Sequence, residues 1–184
     1  MNSINKPKSK GTKGKIFEED FKKSCQEQNL WIDRIKDNQL SYSTQFSTTQ
    51  NKYDFYVFDT KVLYGIELKC TNLSSLTISR DKNEDKNKMI KKHQIDSLCK
   101  DNQYDNILCC FVINFKTSGN VYLLPIENFM EWYNSSEKKS MNEADVLSMY
   151  PISIDYELKR TRYRYNIKKG LGEFRERFND ISLQ

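Results

Sequence analysis

The stretch DFYVFDTKVLYGIELK, Asp54–Lys69, contains two apolar runs bounded by acidic residues. Asp54 opens the first run, and Glu67 closes the second, with Lys69 two residues later. Because strand side chains alternate between faces, Glu67 and Lys69 share one face of a predicted strand. A hairpin turn near Thr60 would bring Asp54 beside Glu67. The stretch therefore predicts two carboxylates and an ammonium group at one sheet edge, an arrangement able to hold a divalent cation beside a phosphate.

The composition of the 184 residues is that of a single soluble domain, with 37% hydrophobic and 30% charged residues. No apolar run approaches the roughly 20 residues of a membrane span, and the basic N-terminus lacks the apolar core of a signal peptide. Five cysteines without CxxC spacing and a single histidine favour reduced thiols over a zinc site. We predict a cytoplasmic protein with no membrane partner and no small-molecule organic cofactor.

Hydrophobic periodicity divides the chain into a flexible basic arm, residues 1–14, and one domain, residues 15–184. A polar loop is predicted at 37–52 and a mobile polar segment at 71–87. The predicted helices are 15–29, 86–100, 126–133, 142–149 and 171–181, and the predicted strands are 31–35, 53–58, 62–70, 107–115, 121–124 and 158–167. Strands interleaved with helices predict an α/β fold with a mixed β-sheet flanked by helices, including at least one parallel crossover.

Two polar residues lie beside apolar helix faces. Glu18 borders a stripe formed by Phe17 and Phe21, which favours it over its neighbour Glu19 as an inward-facing acid. Gln94 lies on an otherwise apolar stripe of the helix predicted at 86–100, where it needs a hydrogen-bonding partner. An ordinary surface acid remains the alternative for Glu18, and a hydrogen bond that merely satisfies the core remains the alternative for Gln94.

A basic segment follows near the C-terminus. Six basic residues and no acid occur between Lys159 and Lys169, interleaved with two tyrosines. Such a pattern suits a polyanion, with aromatic rings available to stack on bases or sugars, although a solvated surface has the same composition. The candidate DNA-contacting residues are Lys159, Arg160, Arg162, Tyr163, Arg164, Tyr165, Lys168 and Lys169.

The spacing Asp-x(12)-Glu-x-Lys on adjacent strands resembles the active-site motif of the PD-(D/E)xK nucleases. Further short motifs follow in one order: GKIFEEDF, YDFYVF, YGIELK, KKHQIDSL, LCCFVINF, VYLLPIENF and LKRTRYRYNI. Together they resemble the RecU-type Holliday junction resolvases, especially the short phage-borne members called penicillin-binding-protein-related factor A-like. The resemblance spans about residues 14–167. It implies a restriction-endonuclease-like core and a bacterial protein of phage or prophage origin.

The resemblance assigns catalytic roles to five residues. Glu18 matches the helix acid, Asp54 the metal-binding aspartate, and Glu67 and Lys69 the Glu-x-Lys pair, while Gln94 matches a glutamine that supports the metal site. Cellular relatives carry a long basic stalk insertion before the aspartate, whereas here the corresponding segment is short.

The chemistry of these residues suits Mg²⁺, with Mn²⁺ as a substitute. Asp54, Glu67 and Glu18 supply carboxylate oxygens, and the backbone carbonyl of Leu68 is a further candidate ligand. Lys69 is expected to orient the attacking water or to stabilise negative charge in the transition state.

We expect a Mg²⁺-dependent, structure-selective DNA endonuclease that resolves Holliday junctions by paired phosphodiester hydrolysis. Branched DNA is the expected partner, and symmetric cutting implies a homodimer. A restriction-like or repair endonuclease acting on duplex DNA is one alternative, and a non-catalytic DNA-binding accessory protein of recombination is another.

Overall fold

The computed structural model describes residues 10–35 and 51–182. The helices are α1 (Lys10–Glu27), α2 (Lys92–Asp101), α3 (Ile126–Ser135), α4 (Glu143–Ser148) and α5 (Ile167–Ser182), with a 3₁₀ helix at Lys82–Asn87. The strands are β1 (Trp31–Arg34), β2 (Phe55–Phe58), β3 (Leu63–Thr71), β4 (Ser75–Thr77), β5 (Ile107–Phe115), β6 (Val121–Pro125), β7 (Ser140–Asn142), β8 (Ile152–Ser153), β9 (Tyr156–Lys159) and β10 (Arg162–Tyr165). Within this part of the chain, no helix is long and apolar enough to cross a bilayer.

Six strands form the central sheet in the order β1-β2-β3-β5-β6-β8. Strands β3 and β5 run parallel, whereas the other neighbouring pairs are antiparallel. Because α2 lies between β3 and β5 in the chain, the predicted parallel crossover is present. A helix, three antiparallel strands, a second helix and a parallel strand in this order form a restriction-endonuclease-like core. The predicted mixed sheet flanked by helices is therefore confirmed.

Separate apolar clusters cover the two faces of the sheet. Tyr64, Ile66 and Leu68 of β3 pack on the face covered by α1 and α5. Phe111 and Ile113 of β5 pack on the opposite face, which α2 and α3 cover. The strict alternation along β3 therefore assigns its apolar residues to the α1 face, as the sequence pattern predicts.

Glu67 lies on the α2 face, since its parallel neighbour in β5 is Phe111. Two residues earlier, Gly65 lies on the same face. A Cβ added to Gly65 would approach the Cys109 sulfur and the Tyr53 ring to 2.9 Å each. Any other residue here would force these buried groups apart, so Gly65 allows the close packing beneath Glu67.

Helix α1 begins earlier than its apolar stripe predicts, at Lys10 rather than residue 15, and ends at Glu27. Residues 10–14, predicted to belong to the flexible arm, form its first turns. Lys13 in these turns donates a hydrogen bond to Asn72 Oδ1 at 3.3 Å. The rest of the predicted arm, residues 1–9, and most of the predicted polar loop lie outside the described residues. The division into an arm and one domain stays a prediction.

Residues 71–87 do not form the mobile segment that their polar composition predicts. They contain β4 and the 3₁₀ helix, and Leu76 and Ile78 are fully buried in the core. A few apolar side chains at core positions thus order a mostly polar segment.

The helix predicted at 86–100 begins later than predicted, at Lys92. The backbone is extended at Lys88 and at Lys91, and Ile90 forms a parallel bridge with Ile78. This bridge commits the residues before Lys92 to extended structure, which local helix propensity cannot reveal.

Candidate active site

The antiparallel pairing of β2 and β3 places Asp54 opposite Glu67. Phe55 pairs with Ile66, and the Asp54 N–H donates to the Ile66 carbonyl at 3.2 Å. The Asp54 Oδ2 atom in turn accepts a hydrogen bond from the Leu68 N–H at 2.8 Å. The structure thus brings together the two acids that the hairpin was predicted to juxtapose.

Glu67 is buried, with 2% of its surface exposed. Its Oε1 atom accepts from Lys69 Nζ at 2.6 Å and from Gln94 Nε2 at 2.5 Å. Its Oε2 atom is buried and has no hydrogen-bonding partner among the described residues. A buried carboxylate oxygen left in this state is costly unless a cation or a proton occupies it.

Gln94 joins the two charged residues of β3. Its Oε1 atom accepts from Lys69 Nζ at 3.0 Å and from the Lys91 N–H at 3.1 Å, where α2 begins. Its amide nitrogen is consequently directed at Glu67, so the orientation of the amide is fixed from three sides. The inward-facing position predicted for Gln94 is observed, and its partners are the site residues themselves.

The N-terminus of α2 is held by Asp85, which the sequence analysis did not single out. Asp85 Oδ1 accepts from the Lys92 N–H at 2.6 Å, and Oδ2 lies 2.9 Å from His93 Nδ1. Burial alone would raise the pKa of Asp85, but hydrogen bonds from His93 and the Lys92 backbone lower it to about 2. Asp85 therefore stays ionised and anchors the helix end that carries Gln94.

Glu18 reaches the site from α1. It forms an ion pair with Arg34 at 2.7 Å, whereas Glu19 is exposed and pairs with Arg162 at 2.9 Å. Burial and the nearby Asp54 raise the pKa of Glu18, although Arg34 opposes the shift. Of the two candidate acids, Glu18 is thus the one that interacts electrostatically with Asp54. Arg34, at the end of β1, lacked any sequence signal because its role depends on where the strand ends in space.

The electrostatics of Glu67 are dominated by burial. Burial raises the pKa of Glu67, Lys69 opposes this, and Asp54 and Glu18 add to it, so that the pKa is about 7. A divalent cation would reverse this effect, because it favours the ionised carboxylate.

The residues present fit a Mg²⁺ ion. In the described part of the chain, no three His, Cys, Asp or Glu side chains are grouped closely enough to hold a metal by themselves. Mg²⁺ does not require such a cage, since it is often bound by one or two carboxylates and keeps several waters. The unpaired oxygen of Glu67 beside Asp54 supplies the oxygen donors that this ion prefers.

The basic segment forms a hairpin of β9 and β10 rather than the single strand predicted at 158–167. Two of its arginines, Arg162 and Arg164, form ion pairs with acids of α1. Arg162 Nε lies 2.6 Å from the buried Asp20 carboxylate, and Arg164 Nε lies 2.9 Å from Glu27. Tyr165 is 2% exposed and therefore does not fit its predicted stacking on DNA.

The remaining candidates of this segment differ in their surroundings. Lys159 pairs with Glu157 at 3.1 Å, and Lys169 pairs with Asp155 at 2.9 Å. Arg160 and Lys168 are exposed, and Tyr163 is half-buried. Much of the positive charge predicted to face DNA is thus balanced by neighbouring acids.

The core, with Asp, Glu and Lys grouped on adjacent strands, places the protein in the restriction-endonuclease-like structural class. Comparison with known proteins identifies the family within this class. Residues 77–165 match the family model RecU, Recombination protein U. The chain is 32% identical over 177 residues to the SPbeta prophage-derived uncharacterized protein YotM of Bacillus subtilis (strain 168), which covers 87% of this chain and 85% of that protein. The chain belongs to the RecU-like family, with a phage-type relative.

A solved structure is also similar. The Holliday junction resolvase Hjc of Archaeoglobus fulgidus matches with a TM-score of 0.49 and 12% identity, over 73% of this chain and 93% of that one. The family match contains Gln94 and the whole hairpin of β9 and β10, whereas Glu18, Asp54, Glu67 and Lys69 precede it.

Proposed function

We propose that the protein is a Mg²⁺-dependent endonuclease that resolves Holliday junctions by paired hydrolysis of phosphodiester bonds. The observation that carries the proposal is the buried Oε2 atom of Glu67, which has no hydrogen-bonding partner in the described part of the chain and lies where Asp54 and Lys69 converge. Membership of the RecU-like family supports DNA recombination as the process. The alternation of β3 places the charged residues Glu67 and Lys69 together on one side of the strand, which supports a site for chemistry rather than packing.

Asp54 and Glu67 would hold Mg²⁺, together with the Leu68 carbonyl, and Glu18 is placed to add a further carboxylate. When bound, Mg²⁺ would neutralise phosphate charge and make water a stronger nucleophile, and Mn²⁺ would supply the same chemistry. The ion pair with Arg34 favours the charged form of Glu18 and opposes the rise in its pKa that burial and Asp54 cause.

Lys69 is positioned by its neighbours. Two of the three N–H bonds of its ammonium group are donated to Glu67 and Gln94. The third remains to orient the attacking water or to stabilise the negative charge that develops on the phosphate. Gln94 keeps both partners in place, which preorganises the site before DNA binds.

Resolution of a junction requires two cuts in strands of like polarity, so two copies of this site must act together. A homodimer with twofold symmetry satisfies this requirement. Branched DNA is the substrate, and the protein would select it by shape rather than by base sequence.

The proposal is tested with a synthetic four-way junction and a linear duplex of the same sequence. The expected result is symmetric cleavage of the junction with Mg²⁺ or Mn²⁺, none with EDTA, and little cleavage of the duplex. Equal cleavage of both substrates would contradict the proposal and favour an endonuclease that acts on duplex DNA. Junction binding without cleavage under every metal condition would indicate a non-catalytic accessory protein.

A further inference from the structure

Because arginines of the basic hairpin already form ion pairs, other cations near the site are candidates for binding the DNA backbone. Arg162 and Arg164 neutralise acids of α1, and one of these acids, Asp20, is buried. Releasing Arg162 to DNA would leave the buried Asp20 carboxylate with only the more distant guanidinium of Arg164, at 3.8 Å, which is an unfavourable arrangement for a buried charge. Cations that lack carboxylate partners are better suited to bind phosphate.

Lys116 is such a cation. It directly follows β5, and its N–H donates to the Thr71 carbonyl at the end of β3 at 2.9 Å. Its ammonium group lies 5.1 Å from the centre of the Tyr163 ring and 5.8 Å from that of Phe17. Among the described residues, these rings take the place of a carboxylate partner, so the full charge remains available to an anion.

Lys13 approaches the same point from α1. Its Nζ atom contacts Asn72 Oδ1 at 3.3 Å, and within the described ranges it also lacks a carboxylate partner. Lys116 is hydrogen-bonded through its backbone to Thr71, and Lys13 is hydrogen-bonded to Asn72, the residue that follows Thr71. Two cations thus converge on one end of β3.

This end of β3 adjoins the proposed active site. Cys70 directly follows Lys69, and Lys13 precedes Glu18 by five residues on α1, which is about 7.5 Å along the helix axis. Successive phosphates of one DNA strand are spaced by about 3.4 Å along the duplex axis. The separation of Lys13 from Glu18 along α1 therefore corresponds to about two nucleotides of a DNA strand.

We propose that Lys13, Asn72, Lys116 and Tyr163 form a DNA-backbone contact, the Lys13–Lys116 surface, beside the scissile phosphate. This inference rests on the proposed nuclease function and specifies which face of the protein the substrate follows. The lysines bind phosphates, the Asn72 amide can donate to a phosphate oxygen, and the half-buried Tyr163 ring positions the Lys116 ammonium group through a cation–π contact. The surface replaces the arginines of the hairpin as the principal electrostatic contact.

The test measures junction affinity in EDTA, where no cleavage is expected, as a function of salt concentration. Each lysine that contacts phosphate contributes about 0.9 to the slope of log K against log salt concentration. Lys116→Met keeps the apolar stem of the side chain on its rings but removes the charge. We expect it to reduce the slope by about 1, and the double variant with Lys13→Met to reduce it by about 2. Lys116→Arg should retain the wild-type slope.

The matched control is Lys61→Met, which removes one exposed charge at the turn before β3, at the opposite end of that strand. It should leave the slope unchanged. Lys13 is exposed on α1, so Lys13→Met tests the surface even where Lys116→Met proves too unstable to measure. A double variant with the wild-type slope would overturn the surface, while junction cleavage by the wild type would leave the proposed function standing. A wild-type protein that neither binds nor cleaves the junction would overturn both.

Discussion

Glu67 combines one carboxylate oxygen that accepts two hydrogen bonds with another that, among the described residues, accepts none. Its surroundings explain both the need for a cation and the raised pKa. Lys69 offsets only part of the rise in the pKa of Glu67 that burial causes, since Asp54 and Glu18 raise this pKa further. The residue is therefore under electrostatic strain without a metal, which is typical of functional sites.

The raised pKa of Glu67 makes stability depend on pH in the absence of metal. Its pKa is about 7 in the folded protein against 4.5 as the ordinary value, so the folded state retains a proton that the unfolded state releases between these pH values. The stabilisation is complete below about pH 4.5 and is lost as the pH rises through about 7. The free energy of unfolding of wild type minus that of Glu67→Gln should therefore fall by about 3 kcal/mol across this window.

Denaturant unfolding in EDTA at pH 4.5, 5.5, 6.5 and 7.5 measures this difference. The Glu67→Gln variant serves as the reference because it keeps the size of the side chain and cannot ionise. A difference that does not change with pH would contradict the assigned environment of Glu67.

Sequence reasoning identified the residues whose positions follow from strand alternation and chain order. Glu67 and Lys69 share a face because they are two residues apart, and the hairpin register places Asp54 opposite Glu67. Arg34 and Asp85 escaped notice, because their partners are distant in the chain and are defined only by tertiary packing.

Helix α2 positions a side chain of the proposed site through the hydrogen bonds at its N-terminus. Asp85 caps its first turn from the 3₁₀ helix, and Gln94 caps it from within while bonding to Glu67 and Lys69. Fixing the end of the helix therefore fixes the Gln94 amide. Asp85 acts through Gln94 as a positioning residue.

Loss of the Asp85 carboxylate should consequently impair catalysis only while Gln94 is present. We expect Asp85→Ala to lower kcat for junction cleavage by about five- to tenfold, corresponding to about 1 kcal/mol for a helix cap, with little change in KM. In a Gln94→Ala background the same substitution should have little further effect on kcat. Asp81→Ala is the control, because Asp81 caps the 3₁₀ helix itself by accepting from the Asn83 N–H. Additive losses in the double variant would rule out action through Gln94.

For the hairpin of β9 and β10 we predict a structural role. Its paired arginines should stabilise the fold and should contribute little to DNA binding. Arg162→Met should lower the free energy of unfolding by about 2–3 kcal/mol, because it removes the nearer of the two arginines that pair with the buried Asp20. The salt dependence of junction binding should stay near that of wild type. Arg160→Met removes an exposed charge from the turn of the same hairpin and should leave stability unchanged. A stable Arg162→Met variant with a reduced salt slope would reverse this assignment.

The elements that sequence reasoning predicted well are those with strong periodicity. Strand β5 was predicted with its observed bounds because it is apolar throughout, as expected for a strand covered on both faces. The segment from β4 to α2 was predicted poorly, because its fully buried apolar residues, Leu76, Ile78 and Ile90, are few. Leu76 pairs with β7, and Ile78 forms a bridge with Ile90 before α2. Nonlocal pairing of this kind leaves little trace in local composition.

At the scale of the whole molecule, the charge distribution matters more than the net charge of +5. Acids of α1 pair with Arg162 and Arg164 of the hairpin, whereas Lys13 and Lys116 have no carboxylate partner among the described residues. If these two lysines lie beside the proposed site, their charge would favour the approach of a polyanion there.

Paired cleavage predicts a homodimer. Sedimentation equilibrium should give twice the 21.9 kDa mass of the chain at the concentrations used for cleavage. On a supercoiled plasmid with an extruded cruciform, the dimer should yield linear product with little accumulation of nicked circle, because both cuts fall within one binding event. A monomeric mass together with nicked circle as the final product would contradict the paired mechanism.

The most direct test of the central claim compares wild type and Asp54→Asn on a four-way junction, measuring cleavage in Mg²⁺ and binding in EDTA. Asparagine keeps the size of the side chain and an oxygen for the Leu68 N–H, but it loses the charge that would hold the metal. The account predicts that Asp54→Asn lowers the cleavage rate by at least about 1000-fold, while its junction affinity in EDTA stays within about twofold of wild type. Cleavage by Asp54→Asn at the wild-type rate would contradict the assignment of the site.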